Sequence, residues 1–460
     1  VTRRLLALGG TLLLGGCASS NPRPAFEDVR KNVVERSGLK PGWVRAESGG
    51  SATEQSVAQL LAAPLDVDAA VQIALVTNPA LQATFEEVGI SQADLAQAAR
   101  IDNPELAGFV RFPETGPGTN AEFSLVQNVF SIFTQPWRKK VADAALEQTK
   151  LRVAGEVLAL AAEVKEGYYT LQARQQLVRR LQLVRDLTET AADFAQKQHE
   201  AGTIADLELE TRTVIHREAK VEVALAEAEV RADRERMNRL LGLWGPRTAW
   251  SIVELLPEIP EQDVPLAGLE RLAVSQRQDL QAARWGVDQV GRALALRRGT
   301  RFFPVGLHVG INTEKDVTGD RVTGPELALQ LPIFDLGGAS IARLEAEHRR
   351  AQRQLEALAV NARSEVREAR DRMLTARDLA LYYSRVLRPQ RVRILELTLR
   401  HYNAMFKGAY DLLLAKQAEV ETERASLDAW RDYWVARARL ERSLGGSLPG
   451  AQAETKEGGR

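Results

Sequence analysis

The residue best placed to do chemistry is Cys17. It closes the run Leu14-Gly15-Gly16-Cys17 and is followed by Ala18-Ser19-Ser20. Ahead of it, Arg3-Arg4 supply positive charge and Leu5 to Leu14 form an apolar stretch. That stretch is too short to cross a bilayer as a helix and suits the apolar core of a secretion signal. A basic start, an apolar core, small residues and then a cysteine is the order at which bacterial export signals are cut and the new N-terminal thiol is acylated. The expectation is a covalent lipid on Cys17, with residues 1–16 removed as a signal peptide. Ala18, rather than Asp, in the next position favours delivery to the outer membrane. Cys17 is the single cysteine of the chain, so an intrachain disulfide is excluded.

No other residue pattern calls for chemistry. The five histidines, His199, His216, His308, His348 and His401, include no pair at i,i+4 spacing for a metal. No GxSxG, phosphate-binding loop or Cys–His pair is present. Carboxylates are abundant but lie on charged helices, where they face water. The reading is a non-enzyme with no metal and no cofactor beyond the lipid on Cys17, so energy must come from a partner. With 61 basic and 61 acidic residues the chain carries no net charge, which argues against nucleic acid. No stretch of eighteen apolar residues follows the signal, so a membrane could be crossed only by strands of a closed barrel.

The elements repeat. Each half reads helix, strand, turn, strand, very long helix, returning helix, and a fixed offset of this kind is the mark of internal duplication. In the first half the pattern predicts helix over Asn78 to Ala98, strands over Glu105 to Phe112 and Ala121 to Phe133, and helix from Pro136 to about His199. In the second it predicts helix over Leu266 to Arg298, strands over Val305 to Thr313 and Val322 to Phe334, and helix from Gly338 to Met405. Leu81-Gln82-Ala83 echoes Leu280-Gln281-Ala282, Glu163-Val164 echoes Glu365-Val366, and Gly202 to Leu207 echoes Gly408 to Leu412. The organisation is therefore a signal peptide (1–16), a lipidated tether (17–65), a first repeat (66–241), a connector (242–265), a second repeat (266–446) and a tail (447–460). Asp66 is the expected N-cap of the first helix.

The strands alternate. Val305, Leu307, Val309 and Ile311 share one face, as do Leu327, Leu329, Leu331 and Ile333, with small or polar residues between them. This suits strands between lipid and a watery lumen. Four strands cannot close a membrane barrel, which needs about eight or more. The chain must therefore oligomerise, and a homotrimer supplies about twelve strands. The long helices are too long for one compact domain. The return helix carries Leu207, Val214, Val221 and Ala228 at seven-residue spacing, a coiled-coil-like seam. At the two reversals, Gly202 and Gly408 are expected to supply the left-handed residue of the turn. Pro389 removes a backbone donor and is expected to kink its helix.

These residues resemble a known family, the outer membrane factors, TolC-like trimeric exit ducts, over about Asp66 to Gly446. The resemblance rests on Asn78-Pro79-Ala80-Leu81, on Leu331-Pro332-Ile333-Phe334-Asp335 with Gly337, and on Tyr402, Gly408 and Asp411-Leu412-Leu413 at the second turn, all in order within the duplicated layout. Asn128-Val129-Phe130-Ser131 lacks the proline of Pro332, which leaves the first-half strand boundaries open. The resemblance implies an α+β membrane protein, a twelve-stranded β-barrel in the outer membrane of a Gram-negative bacterium above a periplasmic α-helical barrel. It implies a passive, gated duct that couples through a periplasmic adaptor to an inner-membrane pump. Gly202, Thr203, Ile204, Gly408, Ala409 and Tyr410 would touch the adaptor, and Arg400, Tyr402, Lys407 and Asp411 would form a periplasmic gate that Pro389 lets lean inward. Two alternatives stay open from the residues: a lipid-anchored coiled-coil scaffold without a pore, and the exit duct of a type I protein secretion system.

Overall fold

The computed structural model describes residues 19–45, 50–112, 114, 118–260, 267–302, 306–331 and 333–449. The signal peptide, Cys17, Val305, Pro332, residues 261–265 of the connector and residues 450–460 of the tail lie outside the described residues. The elements follow in the order α1 (Arg23–Ser37), α2 (Gly50–Leu61), α3 (Val67–Thr77), α4 (Pro79–Ala98), β1 (Glu105–Arg111), β2 (Asn120–Asn128), α5 (Val129–Glu200) and α6 (Asp206–Leu241). A short 3-10 turn, Gly245–Thr248, then leads to α7 (Leu269–Gln276), α8 (Gln278–Gly299), β3 (His308–Lys315), β4 (Arg321–Ala328) and α9 (Gly338–Tyr382). A π-helical stretch, Tyr383–Leu387, joins α9 to α10 (Arg388–Asn403), and α11 (Ala409–Leu444) follows. No helix among the described residues is long and apolar enough to cross a membrane.

The chain divides into two compact units, and both repeats contribute to each. The first unit (Val1–Val29, Phe85–Val153 and Gln278–Ala359) holds one sheet in the order β1-β2-β3-β4, antiparallel throughout. Its register settles the faces. Leu106 pairs with Leu125, Leu125 with Ile311 and Ile311 with Pro325, while Gly108, Phe123, Thr313 and Thr323 form the next row. One face therefore carries Leu106, Val110, Phe123, Leu125, Val309, Ile311 and Leu327 across all four strands. Each is exposed, Leu106 at 73% and Leu327 at 70%. The opposite face carries Glu122, Ser124, Asn312, Glu314 and Glu326, together with Phe109 and Val322. There Asn312 donates to Glu122 at 2.8 Å, Asn120 donates to Glu314 at 2.5 Å and Arg111 pairs with Glu122 at 3.1 Å. Gly310 is needed in β3, because a Cβ there would run into the Leu125 carbonyl of β2.

Two strands are shorter than alternation suggests. β2 ends at Asn128, not Phe133, and α5 begins at Val129, well before Pro136. Asn128 is the reason: its Oδ1 accepts the Ser131 amide at 3.1 Å, an N-cap bond that starts the helix. β4 ends at Ala328 rather than Phe334. Ala328 pairs with His308, the first residue of β3, so Leu329, Gln330 and Leu331 lie beyond the end of the ladder. Ile333 instead donates to the Leu331 carbonyl in a tight turn. β3 likewise runs from His308 to Lys315 rather than from Val305 to Thr313.

The second unit (Arg30–Thr84, Ala154–Arg277 and Val360–Arg460) holds the returning helices and an alanine-rich core. Ala273, Val366, Met373, Ala376, Ala380, Ala429, Tyr433, Ala436, Leu440 and Leu444 are buried together there, and small residues let helix axes approach closely. Here the duplication is plainest. α6 and α11 are each 36 residues long, and each ends in a left-handed glycine, Gly242 (φ 64°) or Gly445 (φ 75°). The expected single helix over Leu266 to Arg298 is two, broken at Arg277 (ψ 127°), as α3 and α4 are broken at Asn78 (ψ 115°). Asn78 Nδ2 donates to the Leu240 carbonyl at 2.9 Å, and Arg277 Nη1 reaches the Ser443 carbonyl at 3.5 Å. Both breaks are thus tied to the last turn of the corresponding return helix, by unlike side chains. Asp66 caps α3 through the Ala69 amide at 2.7 Å, as its sequence position suggests.

The connector straps this unit. Leu65 and Ile252 form a parallel bridge, and Gln172 Nε2 donates to the Val253 and Leu255 carbonyls at 2.8 and 2.7 Å. Tyr168 donates to the Leu65 carbonyl at 2.8 Å, and burial pushes its phenol up to about 12. Asn78 serves both as N-cap, accepting the Leu81 amide at 3.0 Å, and as tie to α6. Asn78→Ala is expected to cost about 1–2 kcal/mol, seen as a lowered unfolding midpoint in denaturant, with secondary structure unchanged.

Candidate functional site: the two hairpin turns

The long helices reverse twice, and both reversals are built from the same backbone bonds. At the first, Gly202 donates to the His199 carbonyl at 2.8 Å and Thr203 to the Gln198 carbonyl at 2.9 Å. At the second, Met405 donates to Tyr402 and Phe406 to His401, both at 2.9 Å. These are matching Schellman-type ends, with crossed bonds from the two residues after the helix. Gly202 takes the left-handed position, at φ 72°.

The second turn departs from expectation. Gly408 is not left-handed: its φ is −84° and ψ 166°, and it serves as N-cap of α11. Met405 holds the left-handed position, at φ 60°, the sole non-glycine with positive φ among the described residues. The sequence echo aligned Gly202 with Gly408, three places out of register. In the structure Gly202 matches Met405, and Ala205, the N-cap of α6, matches Gly408. A Cβ on Gly408 would meet nothing closer than Asp411 Oδ2 at 3.8 Å, so strain does not require a glycine there.

Side chains clamp each turn differently. His199 Nε2 and Asp206 Oδ1 lie 2.6 Å apart across the first turn, and Thr203 Oγ1 donates to the Gln198 carbonyl at 2.8 Å. Across the second, Lys407 Nζ donates to Asp411 Oδ1 at 3.0 Å and the Gly408 amide to Asp411 Oδ2 at 3.0 Å. The Lys407 bond first, and the Gly408 amide second, hold the Asp411 carboxyl below its usual range. Of the expected gate residues, Lys407 and Asp411 are thus joined within one chain. Arg400 and Tyr402 contribute only backbone carbonyls to the turn. Both side chains are exposed, as are Ala409 and Tyr410.

Sequence reasoning gave no role to Met405 or Phe406. They are 94% and 80% exposed, two large apolar side chains in water at the apex of the turn. Their adjacency to Lys407-Gly408 was the available signal. The helices leading to the turns are also open. Leu207, Val214 and Val221, the expected seam, are exposed, whereas His216, Ala219 and Val223 of α6 are buried. The heptad stripe therefore faces away from the hairpin's own contact and is free for another helix. α10 buries none of its residues, and the π-helical stretch Tyr383–Leu387 ends two residues before Pro389. A π turn absorbs one extra residue where the proline lacks a donor.

No protein-family model matches the chain. It is 25% identical over 304 residues to the cobalt-zinc-cadmium resistance protein CzcC of Cupriavidus metallidurans, covering 65% of this chain and 70% of that protein. It is 27% identical over 340 residues to the multidrug resistance outer membrane protein MdtP of Escherichia coli, covering 68% of this chain and 65% of that protein. Among solved structures, VceC, an outer membrane protein of Vibrio cholerae, superposes with a TM-score of 0.69 at 16% identity, over 83% of this chain and 96% of VceC. The Campylobacter jejuni outer membrane channel CmeC gives 0.69 at 15% identity, over 85% and 88%.

The turn geometry predicts an ordered series. Gly202→Ala costs about 1–2 kcal/mol from the left-handed backbone, Gly408→Ser carries no such strain, and Met405→Gly relieves it. Hydrogen exchange at the turn amides should accelerate in the first, stay level in the second and slow roughly fivefold or more in the third. The Asp411 clamp has a pH sign. Its folded-state value is depressed, so its contribution is complete above the unfolded value of about 3.9 and is lost as pH falls through the depressed value. Exchange at the Gly408 amide should rise across that acid window beyond its intrinsic trend, and Asp411→Asn should abolish the extra rise.

Proposed function

With the fold of the TolC-like outer membrane factors as premise, we propose that this chain forms the outer-membrane exit duct of a tripartite efflux system. The observation that carries this is the register of the sheet. One face gathers exposed apolar side chains on all four strands, and the other gathers carboxylates and amides, with Phe109 and Val322 as its exposed apolar residues. A soluble hairpin would bury that apolar face. A barrel wall turns it to lipid and turns the polar face to water. A coiled-coil scaffold without a pore has no use for such a sheet.

The working unit is a homotrimer. β1 and β4 each have one strand neighbour among the described residues, and in lipid an open edge leaves backbone groups unsatisfied. Three copies bring about twelve strands, above the minimum of about eight. The open heptad stripe of Leu207, Val214 and Val221 offers the matching helix contact. The two turns, with Gly202, Thr203 and Ile204 at one and Met405, Phe406, Ala409 and Tyr410 at the other, meet a periplasmic adaptor, through which an inner-membrane pump supplies the energy. Arg400, Tyr402, Lys407 and Asp411 gather near the axis to close the resting duct, with Pro389 setting the lean of α10. The lipid on Cys17 adds an anchor in the outer membrane. Cargo follows the pump: the two named relatives concern metal ions in one case and drugs in the other. With five His, three Met and one Cys, the chain offers little to chelate a metal.

The test is direct. Detergent-purified protein should give a trimer by native mass spectrometry and discrete conductance steps in a planar bilayer. A stable monomer that never conducts would overturn the proposal. Wild-type protein should also carry acyl mass on Cys17. Cys17→Ser should lose that mass and keep the trimer, and an unacylated wild-type N-terminus would remove the anchor from the account.

A further inference from the structure

All four strands leave the sheet along one edge, at Glu105, Asn128, His308 and Ala328, and pass there into helices or short connections. Side chains tie these exits together. Gln135 Nε2 donates to the Ala99 carbonyl at 2.7 Å, and Arg138 pairs with Asp102 at 3.6 Å. Arg292 Nη1 donates to the Lys140 carbonyl at 2.7 Å, Arg297 Nε to Ser340 Oγ at 2.8 Å and Arg301 Nε to the Leu336 carbonyl at 3.1 Å. The end of α4, the start of α5, the end of α8 and the start of α9 therefore lie at one level.

Two kinds of side chain collect at this level. Four aromatic rings stand in the open: Phe133, Trp137, Phe302 and Phe334, the last fully exposed. Beside them are Arg138, Lys139, Lys140, Arg292, Arg297, Arg298 and Arg301. Arg138, Arg292 and Arg298 are neutralised by Asp102, by Asp143 with Asp288, and by Glu345. The other four are not. Lys139 and Lys140 are exposed, with no ion-pair partner among the described residues. Arg297 and Arg301 spend their donors on a hydroxyl and a carbonyl, and Arg301 also lies over the Phe302 ring at 5.3 Å.

We propose that this ring of open cations and exposed aromatics is a binding site for the phosphates of anionic phospholipid headgroups at the periplasmic face of the outer membrane. The site rests on the reading of the sheet as a barrel wall, and it adds a ligand to that reading. Charge selects the occupant: ammonium and guanidinium groups without ion-pair partners stand beyond the strand ends, Lys140 about 18 Å along α5 from Asn128, on the side where a lipid's phosphates sit relative to its acyl chains. The aromatic rings fit the same level, since amphipathic and polarisable side chains gather at the membrane–water boundary. The three neutralised arginines fix the helix ends, and Lys139, Lys140 and Arg301 remain to meet the anion. Around a trimer the site occurs three times.

The experiment counts lipids on the intact trimer by native mass spectrometry, after titration with phosphatidylglycerol or phosphatidylcholine. Wild type should retain phosphatidylglycerol in preference. Each cation removed near an anionic surface should weaken retention roughly fivefold. Lys139→Gln with Lys140→Gln should thus lower it about 25-fold, and adding Arg301→Gln should bring it to on the order of a hundredfold. The double variant alters only exposed lysines, so it remains informative if the triple variant fails to assemble. Trimer mass and conductance report on the duct itself and should not change in the double variant. Lys197→Gln with Lys220→Gln, an equal loss of charge on the hairpins, should leave retention intact. Equal retention of the two lipids by wild type, or undiminished phosphatidylglycerol on the double variant, overturns the proposal. So does displacement of the lipid by millimolar inorganic phosphate, which would make the ring a free-anion site.

Discussion

Everything in this chain answers to one constraint: a four-stranded sheet with an apolar outer face cannot satisfy its own edges. In water the face would have to be buried, and in lipid the unpaired edge groups of β1 and β4 would each cost several kcal/mol. Both problems end together if copies of the chain close the sheet. Strands pass into helices with little intervening chain, and the cap at Asn128 makes the change from strand to helix within a residue. At about 1.5 Å per residue, the 72 residues of α5 amount to about 108 Å of helix, and it belongs to both compact units.

The duplicated architecture is kept by geometry more strictly than by side chains. Asn78 and Arg277 share no chemistry beyond having a donor at the end of a side chain. Yet both break a helix at the same backbone conformation and both reach the closing turn of a return helix. Matching lengths and left-handed glycine ends of α6 and α11 fix where those turns fall. The copies diverge at the reversals. The first clamps its turn with an imidazole and a carboxylate, and the second with an ammonium and a carboxylate. The second also accepts a left-handed methionine. A non-glycine residue there costs about 1–2 kcal/mol, and it sets Met405 and Phe406 in water, which is unfavourable for a turn with no partner and useful for one that docks.

The sequence by itself determined the duplication and the strand–helix alternation. These depend on period, length and residue type, which are local properties. The lipid on Cys17 was likewise read from local order, and it stands as a proposal beyond the described residues. Tertiary structure alone decided where alternation stops being a strand. The alternation runs on past Ala328, but β3 begins at His308 and the ladder stops there, before Leu329, Gln330 and Leu331. It alone decided which stripe of α6 is covered: the heptad of Leu207, Val214 and Val221 is legible in the sequence, but its direction depends on where α5 lies. It also moved the left-handed residue from Gly408 to Met405. A glycine permits positive φ without demanding it, and hydrogen bonds from the preceding helix, not residue preference, set the position of the turn.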